Sequence, residues 1–305
     1  MKYITINQDI PKCSEVGIGC MRINACSSSE VETIIQTALD AGINFFDHAD
    51  IYGGGKSEEL FGEWLLKNPE KRKYIVIQSK CGIRKGYYDF SKEYILESVE
   101  HILERLKTDY LDILLLHRPD ALMDVAEVAE AFNQLKKEGK VRAFGLSNVN
   151  AIQIELIQSK LEQPILINQL QLSLAHTGII DAGINANYPS ASGSARDGSV
   201  YEYMRLKDMV LQAWSPLQYG FFEGTFLGSD KYVELNEVIQ RLAEKYEATP
   251  EAIAIAWILR LPMATQAIVG SVNPTRIMNM AKGADISLTK VEWYELYRSA
   301  GNMLP

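Results

Sequence analysis

The chain has 305 residues, 47% of them hydrophobic and 23% charged, with a net charge of −8 and a sequence pI near 5.2. That acidic balance argues against a basic nucleic-acid-binding surface, and no apolar stretch is long enough to span a bilayer or to form a signal core. Four cysteines without a CxxC pair, and only four histidines, point to reduced thiols in the cytosol and away from a disulfide frame or a metal site.

The N-terminus reads as a hairpin, residues 3–6 and 10–13 around a turn at Asn7-Gln8-Asp9. Strand and helix patterns then alternate to the end. Residues 16–19 form the first candidate strand, and Ser29 opens a helix with Glu32 completing a capping box. A second strand at 43–46 is followed by a helix at about 57–67, and a third covers 74–80. Ile95, Val99, Ile102, Leu103 and Leu106 then recur at helical spacing and give one buried face. A fourth strand ends at His117, a helix covers 124–137, and a fifth strand covers 142–146 before a helix that Asn150 caps. Strands at 165–168, 209–213 and 267–269 follow, and Asn273-Pro274 starts a further helix as N-cap and first residue.

Eight strands alternating with helices, without a break in composition, imply a single (β/α)8 barrel domain over residues 1–305. A doubly wound sheet would need G-x-G-x-x-G after its first strand, and that motif is absent. Two connections are long. Residues 171–199 contain the small polar run Ser190-Ala191-Ser192-Gly193-Ser194, expected to be mobile; residues 216–230 carry Tyr219, Phe221, Phe222 and Phe226. Loops of this size on the active face of a barrel are usually functional.

Polar residues punctuate the ends of the apolar runs. Asp47 and Tyr52 flank the end of the second strand, Lys80 ends the third and His117 the fourth. In a parallel barrel these ends converge on the face that carries the chemistry. Tyrosine is a weak acid, with an unperturbed pKa of about 10, and an adjacent ammonium lowers it by favouring the phenolate. Lys80 can do this while Asp47 orients the ammonium, and His117 can donate to a substrate oxygen. Together they suit protonation of a carbonyl oxygen. One strand-end Asp or His alone is usually structural; four polar groups converging point to catalysis. His48 and Asp50 are expected to orient backbone or face away. The run Gly53-Gly54-Gly55-Lys56-Ser57 suggests a P-loop, but Asp50 stands at the first glycine position of that motif, so a turn into a helix is the better reading.

Seven segments carry a resemblance: Phe46-Asp47 with Tyr52-Gly53, Ser79-Lys80, Leu115-Leu116-His117, Gly145-Leu146-Ser147-Asn148, Asn168-Gln169, Trp214-Ser215-Pro216-Leu217 and Gly270-Ser271-Val272-Asn273-Pro274-Thr275-Arg276. In this order, over nearly the whole length, the chain resembles the aldo-keto reductases, in particular their bacterial oxidoreductase branch. The resemblance implies a (β/α)8 barrel that binds a nicotinamide dinucleotide, usually NADPH, without a Rossmann domain. It makes Tyr52 the general acid, Lys80 and Asp47 its tuning pair, and His117 the residue that orients the carbonyl. It assigns the nicotinamide carboxamide to Ser147, Asn148 and Gln169, the nicotinamide ring to Trp214, and the pyrophosphate to Ser215 and Leu217. Gly270, Ser271 and Arg276 would surround the adenosine phosphate. Cys20-Met21 stands where many members have Thr-Trp, Gly270 where a lysine is common, and Asn279-Met280 where Glu-Asn is usual. Cys20, Met21, Asp47 and Asn279 are thus also expected at the cofactor, with NADPH favoured over NADH. The expected partner is a small carbonyl compound; oligomeric state stays open. Two other readings are a cofactor-binding regulatory subunit with little turnover, and a class I aldolase with Lys80 as Schiff-base former.

Overall fold

A computed structural model describes residues 1–185, 199–302 and 304. The Ser190–Ser194 run lies outside them. Eight strands form a closed barrel: β1 (Val16–Gly19), β2 (Phe45–Asp47), β3 (Val76–Cys81), β4 (Leu111–Leu116), β5 (Val141–Ser147), β6 (Ile165–Gln171), β7 (Val210–Trp214) and β8 (Thr265–Val269). Every neighbouring pair is parallel, and β8 closes on β1 through Val269 beside Ile18. The expected (β/α)8 fold is therefore present.

The two-residue period of each strand sorts its side chains. Phe45, Val76, Ile113, Leu115, Ile167 and Ile268 fill the barrel. Phe46, Ile77, Leu114, Leu116 and Phe144 instead belong to the layer between barrel and helices. The N-terminal hairpin is shorter than expected: Tyr3–Ile4 pairs with Cys13–Ser14. The freed residues Ile6 and Ile10 pack with the barrel-filling group and plug its lower end.

The surrounding helices include α1 (Ser28–Asp40), α2 (Lys56–Lys67), α3 (Lys92–Leu106), α4 (Val125–Lys137) and α5 (Ala151–Gln158). After them come α6 (Gly178–Ile184), α7 (Val200–Leu206), α8 (Val233–Lys245), α9 (Pro250–Leu259), α10 (Pro274–Ala281) and α11 (Lys290–Ser299). The start of α1 corrects the expectation: Ser27 is the N-cap and Glu30 completes the box, not Ser29 and Glu32. Both registers read S-x-x-E, and the earlier one gains a further helical bond from Val31 N–H to the Ser27 carbonyl. Asp124 is the N-cap of α4, while Asn150 caps α5 and Asn273 caps α10 as the sequence indicates. Among the described residues no helix is long and apolar enough to cross a membrane, and no cluster of ligating side chains suits a metal ion.

Candidate active site

The upper end of the barrel holds a polar cluster on an apolar base. Asp47 is the last residue of β2, and Lys80 projects inward from β3. Both Asp47 oxygens accept from Lys80 Nζ at 2.7 Å, and Lys80 also donates to the His48 carbonyl at 2.8 Å and to Tyr52 Oη at 3.1 Å. Lys80 is wholly buried. Burial alone would depress the ammonium, but Asp47 and Tyr52 more than offset it, and the Lys80 pKa is raised. The tyrosine departs from the simple expectation. Burial of Tyr52 raises its pKa, Lys80 pulls it down, and the net shift is upward. The phenol is thus held protonated beside an ammonium that stabilises its conjugate base.

The backbone around Tyr52 explains the glycine run. Tyr52–Gly55 form a short 3-10 turn before α2, and Gly53, Gly54 and Gly55 have φ of 60°, 65° and 94°. A Cβ on Gly53 would lie 2.5 Å from Asn24 Cβ. Positive φ and close approach both call for glycine here, which accounts for the run without a phosphate loop.

His117 follows β4, and its ring meets Tyr52 edge-on with centroids 6.1 Å apart. Burial, helped by Lys80 and Arg118, presses its pKa well below the usual imidazole value. It is therefore neutral, with one N–H to donate. Beneath the cluster lies a floor of glutamines, of which the sequence reading named only Gln169. Gln78 and Gln169 each donate to Asp47 Oδ1, at 2.6 and 3.1 Å, and both donate to Gln212, which in turn donates to Gln266. They come from β3, β6, β7 and β8, so their inward-facing strand positions were the available signal.

Above this floor opens a cavity of about 1110 Å³, running from Asp47, Tyr52 and His117 to Gly270, Ser271 and Arg276 beyond β8. A family model for the aldo/keto reductase family matches residues 15–299.

The chain belongs to the aldo/keto reductase family.

These are NAD(P)H-dependent oxidoreductases. Oxidoreductase YdhF of Escherichia coli is 33% identical over 311 residues, which cover 98% of each chain. The NADH-specific methylglyoxal reductase of the same organism is 28% identical over 335 residues, covering 96% of both. A crystal structure of an aldo-keto reductase from Klebsiella pneumoniae in complex with NADPH shares the fold, with a TM-score of 0.75 at 23% identity over 94% of this chain and 91% of that one.

In this aldo/keto reductase, Met21, Ser147, Asn148, Gln169, Trp214, Ser215 and Leu217 line the cavity. Trp214 Nε1 donates to Asn148 Oδ1 at 3.1 Å, and Asn148 Nδ2 donates to Ser147 Oγ at 2.7 Å. Two residues expected at the cofactor lie elsewhere. Cys20 is 1% exposed, outside the cavity lining, with its Sγ against the Ile18 carbonyl; the chain turns into a 3-10 segment there and directs Cys20 to the core. Asn279 also lies outside the lining, while Met280 and Arg276 on α10 reach it. Lys80 sits below Tyr52 and does not border the cavity. The wall that sequence reasoning left unassigned is aromatic and cationic: Phe222 stacks on Trp214, Phe221 meets it edge-on, and Arg118 sits beside both Trp214 and Phe221.

His48 and Asp50 turn away from the cavity. The His48 ring packs against Phe61, with both nitrogens buried and unpartnered, and burial holds its pKa at about 3. Asp50 accepts from Tyr94 Oη at 3.1 Å, and burial raises its pKa to about 6.

Proposed function

We propose that the protein is an NADPH-dependent carbonyl reductase in which Tyr52 is the general acid. The observation that carries this reading is the buried Lys80 ammonium, shared between the Asp47 carboxylate and the Tyr52 hydroxyl directly below the cavity. Tyr52 donates its proton to the carbonyl oxygen as the oxygen becomes an alkoxide. Lys80 stabilises the phenolate left behind, and Asp47 holds Lys80 in place. Neutral His117 donates to the same oxygen and fixes the carbonyl over Tyr52. General acid–base catalysis of this kind contributes about 10²–10⁴-fold.

The residues present fit a nicotinamide dinucleotide. The cavity volume exceeds that of usual small-molecule sites. A side chain at Gly270 would meet nothing within 4 Å, so that rim is open. Asn148, Ser147 and Gln169 would hold the carboxamide, Trp214 the ring, Ser215 and Leu217 the pyrophosphate, and Ser271 with Arg276 the adenosine phosphate at the N-terminus of α10. When bound, the reduced cofactor supplies hydride to the carbonyl carbon. Arg276 has no ion-pair partner among the described residues, and that supports NADPH over NADH. Four free cysteines fit action in the reducing cytosol.

The Schiff-base reading is disfavoured. A nucleophilic amine must be neutral and reachable, whereas the Lys80 pKa is raised and its side chain is fully covered. The reductase reading is tested by following NADPH consumption with a panel of aldehydes and ketones. Turnover supports it; none across the panel, with cofactor bound, would favour a regulatory cofactor-binding role instead.

A further inference from the structure

We propose that Arg118 selects carbonyl substrates carrying a carboxylate, which docks on its guanidinium at the β4 side of the cavity. This rests on the reductase reading and names its substrate class. Arg118 directly follows His117, and both line the cavity. In the closed barrel β4 and β8 lie four strands apart in either direction, so the loops after them face each other across the mouth. Arg22 and Arg276, which follow β1 and β8, therefore serve the opposite end, where Arg22 donates to the Gly270 carbonyl at 3.2 Å. Arg118 belongs to the substrate end.

Its charge is uncommitted. Arg118 makes no hydrogen bond or ion pair among the described residues. Of the cavity carboxylates, Asp47 is bound to Lys80, and Glu251 stands in the first turn of α9, which packs against β8. Aromatic faces fix the guanidinium instead: its Cζ lies 5.9 Å from the Trp214 ring centroid and 5.8 Å from that of Phe221. Such packing orients the group while leaving its N–H fork free. A planar fork in an apolar wall matches a planar carboxylate bidentately.

The test compares 4-carboxybenzaldehyde with its neutral methyl ester, using NADPH, in wild type, Arg118→Met and Arg118→Lys. The wild type should favour the acid in kcat/KM by roughly ten- to a hundredfold, the range of one charged hydrogen-bonding contact. That ratio should fall to about one in Arg118→Met and to an intermediate value in Arg118→Lys, which keeps charge but not the fork. Equal kcat/KM for acid and ester in the wild type, or an acid preference that survives Arg118→Met, overturns the substrate assignment and leaves the reductase reading intact. Should neither aldehyde consume NADPH, the reductase reading is left to the wider carbonyl panel, and calorimetric binding of benzoate to the NADP⁺-loaded protein decides the docking site. Binding about tenfold weaker or worse in Arg118→Met upholds it, and equal binding overturns it.

Discussion

Two buried carboxylate–cation pairs lie on opposite sides of β3. Inside the barrel, Asp47 holds Lys80 beneath Tyr52. Outside it, Glu58 of α2 accepts from Ser79 Oγ at 2.6 Å and pairs with Arg105 of α3 at 2.8 Å. Gln78 and Lys80 face inward and Ser79 faces outward, so the strand's two-residue period separates the pairs. The inner pair is continued by a tyrosine that borders a cavity. The outer pair ends in packing: the Arg105 side chain lies 2.8 Å from the site of a Cβ on Gly55. The same chemical types thus form the proposed proton-transfer centre on one face and a tie between helices and strand on the other. What differs is access to a space where a substrate fits.

The sharpest way to break this comparison is to exchange the expected effects. Tyr52→Phe should lower kcat by at least about a hundredfold while cofactor still binds, since general acid catalysis is removed and no cofactor contact is. Glu58→Gln should change thermal stability and leave turnover per folded molecule within a few-fold. Steady-state kinetics with cofactor titration measures both. A Tyr52→Phe enzyme retaining more than a tenth of wild-type kcat would remove Tyr52 as the acid, and equal losses in both variants would erase the distinction.

The inner pair should also behave as a unit. Lys80→Met should reduce kcat/KM and raise the apparent pKa of the catalytic acid, because the ammonium that favours the phenolate is gone. Asp47 acts largely through Lys80, which it touches with both oxygens. Asp47→Asn should therefore cost much less in the Lys80→Met background than alone. Fully additive losses in the double mutant, read from pH–rate profiles, would mean the two residues act separately.

A smaller effect is expected at the far rim. Arg276 is exposed beside the open Gly270. One charged contact, plus the helix N-terminus at Asn273-Pro274, gives a preference for NADPH over NADH of roughly ten- to a hundredfold. Arg276→Ala should remove most of it, leave NADH affinity nearly unchanged, and the wild-type preference should shrink with added salt. Equal affinity for both cofactors in the wild type would make NADH the better candidate.

The barrel was legible because three of its apolar runs close on polar residues: Asp47 ends β2, Lys80 is next to last in β3 and His117 follows β4. The register of α1 was not, because Ser27-Ser28-Ser29 with Glu30 and Glu32 offers two capping boxes, and the choice rests on the one further helical bond that the earlier start gains. Cys20 was misplaced because strand alternation stops at Gly19, where the chain turns. The glutamine floor escaped notice because Gln78, Gln212 and Gln266 each look like an isolated polar residue in an apolar strand; their meaning lies in convergence from separate strands. Arg118 was overlooked for the same reason, since the rings of Trp214 and Phe221 that hold it come from a distant part of the chain.

The subtlest test concerns the outer pair and pH. Glu58 is fully buried, and burial raises its pKa to about 7 despite Ser79 and Arg105, which lower it. A carboxyl whose folded pKa lies above its unfolded value binds a proton more readily in the fold. Its contribution to stability is therefore present below the unfolded pKa, near 4.5, and is lost as pH rises toward 7. The full span corresponds to about 3 kcal/mol as an order of magnitude. Asp50, raised to about 6, adds a slope of the same sign, while His48 and His117, held neutral by burial, add the opposite slope below pH 6.5. These three groups are present in both proteins and largely cancel in a comparison of wild type with Glu58→Gln. The amide that the substitution introduces does not titrate. The Tm of the wild type minus that of the variant should thus fall by several degrees between pH 5 and 7.5. Parallel Tm curves across that range would mean that Glu58 is ionised throughout, and that Arg105 fully compensates its burial.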